Sequence, residues 1–202
     1  MAIAEKVKLV EQLFDQLAKE MTTFQNTTSL SCVAGCGKCC TTPSIEASPL
    51  EFLPWAFHLY LNGEAEKTLE ELKQKTTFLC HIYKPSNSID NSLGRCSNYK
   101  YRGLICRLFG YAASKDKYGK LRIATCTIIK EGQSEEFLKT SQAISNGLKI
   151  PVFSDYYIQL SNIDFTLGKI MLPVNLALKM AIEEVLHYYA YRPFPKELKD
   201  IA

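Results

Sequence analysis

The chain has 202 residues, 47% of them hydrophobic, long enough to bury one sizeable core or a core plus a small lobe. Its 24 basic and 21 acidic residues leave a net charge of +3, too balanced to point to nucleic acid. No run approaches the roughly 18 unbroken apolar residues of a membrane span, and the opening MAIAEKVKLVEQLFDQL lacks a signal-peptide core and cleavage site, so a soluble cytoplasmic protein is expected.

Residues 3–21 place Ile3, Val7, Val10, Phe14, Leu17 and Met21 on one stripe and predict an amphipathic helix. TTFQNTTSL breaks the pattern and leads into SCVAGCGKCC at 31–40. Ser48-Pro49-Leu50-Glu51 predicts a capping box with proline at the first helical position. The helix it opens runs through Trp55, Phe57 and Leu61 and stops before Gly63. Residues 64–75 read as a second, more polar helix. The apolar run 78–83, which holds Cys80, reads as a short strand, and KPSNSIDNSLG (84–94) as a turn-rich loop. Cys96 and Cys106 follow within 94–110. Residues 111–129 predict a hairpin around Lys117-Tyr118-Gly119-Lys120, with Cys126 on its second arm. From Glu131 the pattern is mostly helical. Its clearest helix is 175–191, with Leu176, Met180, Ile182, Val185 and Tyr189 inward and Pro193 and Pro195 at its end. The expected fold is a mostly helical α+β single domain over residues 1–202, with a small β hairpin or sheet. Residues 30–130 form its cysteine core and 131–202 a helical C-terminal extension.

Cysteine is the anomaly. Eight in 202 residues is about 4%, well under the roughly 8–10% of disulfide-built secreted scaffolds. All eight lie between 32 and 126, and Cys32, Cys36, Cys39 and Cys40 fall within nine positions. The even count allows disulfides. Against them stand the absent signal, the sizeable core, and adjacent Cys39 and Cys40, whose direct bridging is strained. A C-x2-C loop lets two thiolates face one ion, and Gly35 and Gly37 supply the positive φ that such a loop needs. Lys38 is expected to lower the pKa of Cys36 and Cys39. Cys80, Cys96, Cys106 and Cys126 are singletons, so the repeated C-x2-C pair of a zinc ribbon is missing. The iron–sulfur run C-x2-C-x2-C-x3-C-P is missing too. Eight thiols suffice for two four-cysteine sites or for one site with spare thiols. Adjacent Cys39 and Cys40 are more easily given to different ions, or to two irons of one cluster, than to one tetrahedral zinc. On that ground iron–sulfur is preferred to zinc.

CVAGCGKCC at 32–40, FLC at 78–80, CSNYKYRGLICRLFG at 96–110 and the late Cys126 resemble the CxxCxxCC family of zinc- or iron-chelating cysteine-cluster proteins, mostly bacterial. Cys96, Tyr99, Arg102, Cys106, Arg107 and Phe109 occupy the fixed places of its second signature, C-x2-Y-x2-R-P-x2-C-R-x-F. The likeness covers about residues 30–130. It departs in two places: Val33-Ala34-Gly35 is one residue longer than the usual gap, and Gly103 replaces a proline. The cysteine pattern is also similar to that of flagellin lysine N-methylases, which are longer. The resemblance implies metal ligands among Cys36, Cys39, Cys40, Cys80, Cys96, Cys106 and Cys126, with Cys32 ranked last. Tyr99, Arg102 and Arg107 are expected to stand behind them.

Arg95, Lys100, Arg102 and Arg107 form an acid-free stretch that serves either as counter-charge to thiolates or as a receptor for an anionic substrate; counter-charge is the simpler reading. His81 is the one histidine placed to be a ligand, while His58 and His187 sit in helical patterns beside aromatics. Tyr156, Tyr157, Tyr188, Tyr189 and Tyr191 have helical spacing and read as core or interface before base-stacking. No phosphate loop, nucleophile elbow or H-E-x-x-H is present. Three functions are therefore expected in order: metal binding through zinc or an iron–sulfur cluster; an iron–sulfur-dependent redox or protein-modifying enzyme; and a zinc-stabilised module for a protein partner.

Overall fold

The apolar stripe of the first helix continues beyond its expected end. α1 spans Ile3–Thr28, with Leu13 and Phe24 added to the buried stripe. The threonines that suggest a break instead bond back along the helix, the hydroxyls of Thr22, Thr23, Thr27 and Thr28 each donating to the carbonyl four residues earlier. Ser29, at φ 58, ends α1 by donating its N–H to the Gln25 carbonyl. The computed structural model describes residues 1–32, 36–43, 45–86 and 94–195. The spacer 33–35 and most of the expected loop 84–94 lie outside those residues.

β1 (Glu46–Ala47) precedes a 3₁₀ turn over Pro49–Phe52, which leads directly into α2 (Leu53–Leu61). The expected capping residues are at work here: the Glu51 carboxylate accepts the Ser48 N–H at 2.8 Å. Gly63, at φ +72, turns the chain into α3 (Ala65–Gln74). Residues 78–82 are not a strand. Phe78 is 55% exposed, and the side chain of Asn175 takes up the local backbone groups, accepting the His81 N–H at 2.8 Å and donating to the Leu79 carbonyl at 2.9 Å. Pairing starts only at β2 (Tyr83–Pro85), antiparallel to β3 (Gly94–Cys96), with Tyr83 opposite Cys96.

α4 (Leu104–Leu108) carries Cys106. β4 (Ala112–Lys115) and β5 (Leu121–Ala124) form the expected hairpin. Its turn is held by Asp116, whose carboxylate accepts the N–H groups of Tyr118 and Lys120 at 2.9 Å, and by Gly119 at φ +79. Cys126 lies beyond the second arm and caps α5 (Thr127–Gly132), its sulfur accepting the Ile129 N–H at 3.5 Å. α6 (Ser134–Ser145), α7 (Phe153–Ile163) and α8 (Phe165–Lys169) follow, then β6 (Leu172–Pro173), which pairs antiparallel with β1. α9 (Val174–Tyr189) ends before Pro193 and Pro195.

α9 buries Ala177, Leu178, Ala181, Ile182 and Val185 against α2, α3 and the Pro49–Phe52 turn. Leu176, expected inward, is 49% exposed; the apolar face is centred on Leu178 and Ala181 instead. α1 packs on α2 and α7. Fully buried Leu and Ile side chains of this kind contribute about 1.5–3 kcal/mol each, so the helical core has its own source of stability apart from any thiol chemistry. Among the described residues no helix is long and apolar enough to cross a membrane. The fold is mostly helical with three two-stranded sheets among the described residues, and the cysteine segments converge beside the C-terminal half of α1.

Candidate metal centre

Five chain segments bring the cysteines together. The stretch before and within the Lys38–Thr41 turn supplies Cys32, Cys36, Cys39 and Cys40; the turn before β2 supplies Cys80; β3 supplies Cys96; α4 supplies Cys106; and the cap of α5 supplies Cys126. All eight line one cavity of about 1080 Å³, and none is in a disulfide. Gly37 seats the cysteine turn. Its φ is +57, and a Cβ there would meet the Gly94 carbonyl at 2.5 Å and the Tyr83 ring at 2.6 Å. Only glycine lets this backbone lie so close on the β2–β3 hairpin.

The cavity wall has a one-sided chemistry. Besides eight thiols it carries Lys38, Lys84, Arg95, Arg102 and Arg107, and no Asp, Glu or His among the described lining residues. Soft thiolate donors without carboxylate or imidazole suit zinc or iron–sulfur clusters rather than hard cations, so the residues fit the group by donor type. Among the described residues no three His, Cys, Asp or Glu side chains converge as ligands of one ion. The thiols line one cavity without forming a closed ligand set among the described residues.

Burial governs most of the thiols. It pushes Cys80 up to about 11, and it also raises Cys106, Cys96 and Cys32. Cys39 goes the other way, to about 6, chiefly because the Cys40 thiol donates to it; N–H groups of Cys39 and Cys40 and the charge of Arg102 add to this. Cys40, the donor, is raised for the same reason. The cation acting on Cys39 is thus Arg102, where the sequence points to Lys38. A metal that took these buried thiols as ligands would displace their protons.

The arginines take distinct places. Arg102 stacks on the Tyr99 ring at 3.6 Å, and its Nε is buried without a hydrogen-bond partner among the described residues. Arg107 donates its Nε to the Arg102 carbonyl at 2.9 Å and a terminal nitrogen to the Lys100 carbonyl at 2.5 Å, with its guanidinium over the Phe14 ring. It therefore clamps the backbone of the signature stretch. His81 is not in the cavity; it faces Glu71 at 3.6 Å and the Trp55 ring. His58 stacks on Tyr101, and His187 lines a shallow pocket elsewhere.

A family model, CxxCxxCC, described as "Putative zinc- or iron-chelating domain", matches residues 31–137, more than half of the chain. The chain belongs to the CxxCxxCC family. No curated protein and no solved structure matches it. The stretch matched by the CxxCxxCC model contains all eight of the cavity's cysteines, while α1 adds a wall from outside it. Where the CxxCxxCC signature has proline, Gly103 holds φ −62, an angle proline also adopts, but a Cβ there would meet Glu51 Oε2 and the Phe52 ring at 2.8 Å. The glycine is explained by that close approach.

Sequence reasoning missed three residues that shape the site. Glu51, buried and 1% exposed, accepts the Ile105 N–H at 2.9 Å and the Tyr157 hydroxyl at 3.1 Å, fixing the start of the Cys106 helix. Tyr111 accepts the Cys32 N–H, and Gln133 brackets Ser31. Glu51 had a visible signal in the capping box. Tyr111 and Gln133 had none, because their partners lie 79 and 102 residues away.

Proposed function

We propose that this CxxCxxCC chain is a metal-binding protein whose cysteines hold zinc or an iron–sulfur cluster. The observation that carries the reading is the cavity wall, which among the described residues holds eight thiols and five cations and no carboxylate. Four thiolates on one Zn²⁺ leave a net charge of −2, and cationic neighbours offset such charge. Arg102 and Arg107 serve that role here, the first by its charge beside Cys39 and the second by holding the backbone that carries Arg102. Iron–sulfur is preferred. The hydrogen-bonded neighbours Cys39 and Cys40 suit two metal atoms better than one, and the cavity far exceeds the volume of a single ion. Elemental analysis and a visible spectrum of anaerobically purified protein test this. Stoichiometric iron, with absorbance that bleaches on reduction, is the expected result; stoichiometric zinc in colourless protein retains metal binding and replaces the cluster. Protein that takes up neither metal overturns the proposal.

One observation favours a second reading, an iron–sulfur-dependent enzyme. Thr22, Gln25 and Asn26 of α1 give the same cavity a polar wall without thiols, a surface suited to a substrate beside the centre. A spectrum of the loaded protein that responds to added anionic ligands supports it. An indifferent spectrum assigns the centre a structural role, as in a zinc-stabilised module for a protein partner.

A further inference from the structure

The cations of the cavity wall have no partners of opposite charge. Among the described residues, Lys38, Lys84, Arg95, Arg102 and Arg107 form no ion pair, and the wall they share carries no carboxylate. Lys84 and Arg95 stand directly opposite each other on the β2–β3 ladder, where like charges repel. The surrounding sequence adds to this: residues 94–130 hold nine basic residues and one acid, Asp116, whereas the rest of the chain is acidic overall. A tetrathiolate zinc, at −2, offsets only part of five positive charges.

Arg102 is the cation best placed to take a ligand. Its Nε is buried without a hydrogen-bond partner among the described residues, a costly state for a charged donor. The side chain is nonetheless held in place, with one face of the guanidinium stacked on the Tyr99 ring at 3.6 Å. Its backbone is fixed at both ends of the residue: Arg107 donates to the Arg102 carbonyl at 2.9 Å, and the Arg102 N–H donates to the Tyr99 carbonyl at 3.4 Å. A donor fixed in this way loses little freedom when it binds. A guanidinium offers Nε and a terminal nitrogen as a planar fork, which matches two oxygens of one anion better than it matches a single sulfur, a weak acceptor.

The rest of the cavity fits an organic body attached to that anion. Its volume, about 1080 Å³, reaches the upper end of the roughly 300–1,000 Å³ of small-molecule sites. Phe109 and Tyr99 line it and remain 38% and 65% exposed, aromatic surface that the fold itself does not cover.

We propose that the cavity binds a small organic phosphate, its phosphoryl group on the Arg102 fork among the unpaired cations and its apolar body against Phe109. A phosphoryl dianion is favoured over a carboxylate because several cations, not one, lack a counter-charge. The cations and the rings define the site; its role as a substrate site rests on the iron–sulfur enzyme reading above.

The test is calorimetric titration of the full chain, purified anaerobically, with inorganic phosphate, phenyl phosphate and benzoate, metal content being measured on the same samples. One site is expected, with phenyl phosphate bound at least about tenfold more tightly than inorganic phosphate through burial of its ring, and more tightly than benzoate. Arg102→Lys keeps the charge but loses the fork, and is expected to weaken both phosphates about tenfold. Phe109→Ala is expected to leave inorganic phosphate unchanged and to remove the advantage of the phenyl group. Lys117→Gln/Lys120→Gln removes two charges at the β4–β5 turn, outside the cavity, and is expected to keep wild-type affinity. Should Arg102→Lys lose its metal, Phe109→Ala and the turn variant decide. A turn variant that weakens binding as much as Arg102→Lys overturns the proposal, and so does benzoate bound as tightly as phenyl phosphate. Metal-loaded wild type that binds neither phosphate also overturns it and leaves metal binding standing. Protein that holds no metal yet binds phenyl phosphate through Arg102 and Phe109 removes the metal reading and keeps the anion site.

Discussion

Glu51 accepts three hydrogen bonds on two buried oxygens, from Ser48, Ile105 and Tyr157. These favour its charged form, but burial outweighs them and raises its pKa from 4.5 to about 6. The folded chain thus takes up this proton more readily than the unfolded chain. Glu51's contribution to stability is fully present below the unfolded value and falls as pH rises through the folded one. A shift of that size corresponds to about 2 kcal/mol. Glu51→Gln does not titrate and serves as the reference. Urea midpoints of metal-free, reduced protein are expected to show the advantage of wild type over Glu51→Gln shrinking by about 2 kcal/mol between about pH 4 and about pH 7. A gap independent of pH would contradict the burial-dominated account.

The signature stretch is a short 3₁₀ turn at Tyr99–Tyr101 followed by α4, and Arg107 of the helix holds the turn by two carbonyls. Without those donors the Lys100 and Arg102 carbonyls lose their anchor, and Arg102 is freed from its place beside the thiols. Arg107→Ala is therefore expected to lower metal affinity about 10–100-fold, as for losing a group that orients ligands. Lys139→Ala, on an exposed pair with Glu135, is expected to leave it unchanged. Metal content per folded monomer distinguishes this from a substrate-anchoring role, which predicts full occupancy in Arg107→Ala.

Elements set by local pattern were legible in the chain: the α1 stripe, the helix that stops at Gly63, the Gly119 hairpin and the long final helix. Those set by distant partners were not. Asn175 supplies residues 77–81 with hydrogen bonds that a strand neighbour would otherwise give, and no local pattern announces it. The threonines of α1 satisfy themselves within the helix, so a polar run that reads as a break extends it. Leu176 was misplaced because the face of α9 is set by what α2 and α3 offer, not by the helix alone. For the site, residue type and spacing singled out the cysteines as a group, while the hydrogen bonds that position them, such as those of Ser31 with Gln133, join residues 102 positions apart.

At the scale of the whole molecule, two parts differ in what holds them. The helices around α2 and α9 are closed by apolar packing, with Leu53, Ala56, Leu178 and Ile182 fully buried. The cysteine segments are short and surround a cavity. Structural zinc supplies about 10–16 kcal/mol in zinc-finger peptides, and a metal held as proposed would act on these segments rather than on the helical core. The most direct measurement is hydrogen exchange with thermal melting, on metal-loaded protein and on protein stripped by chelator under reducing conditions. The account predicts a lower melting temperature on stripping, with protection lost in residues 36–43, 78–86, 94–110 and 124–130 and kept in α2 and α9. Equal melting temperatures and equal protection after verified metal loss would contradict it.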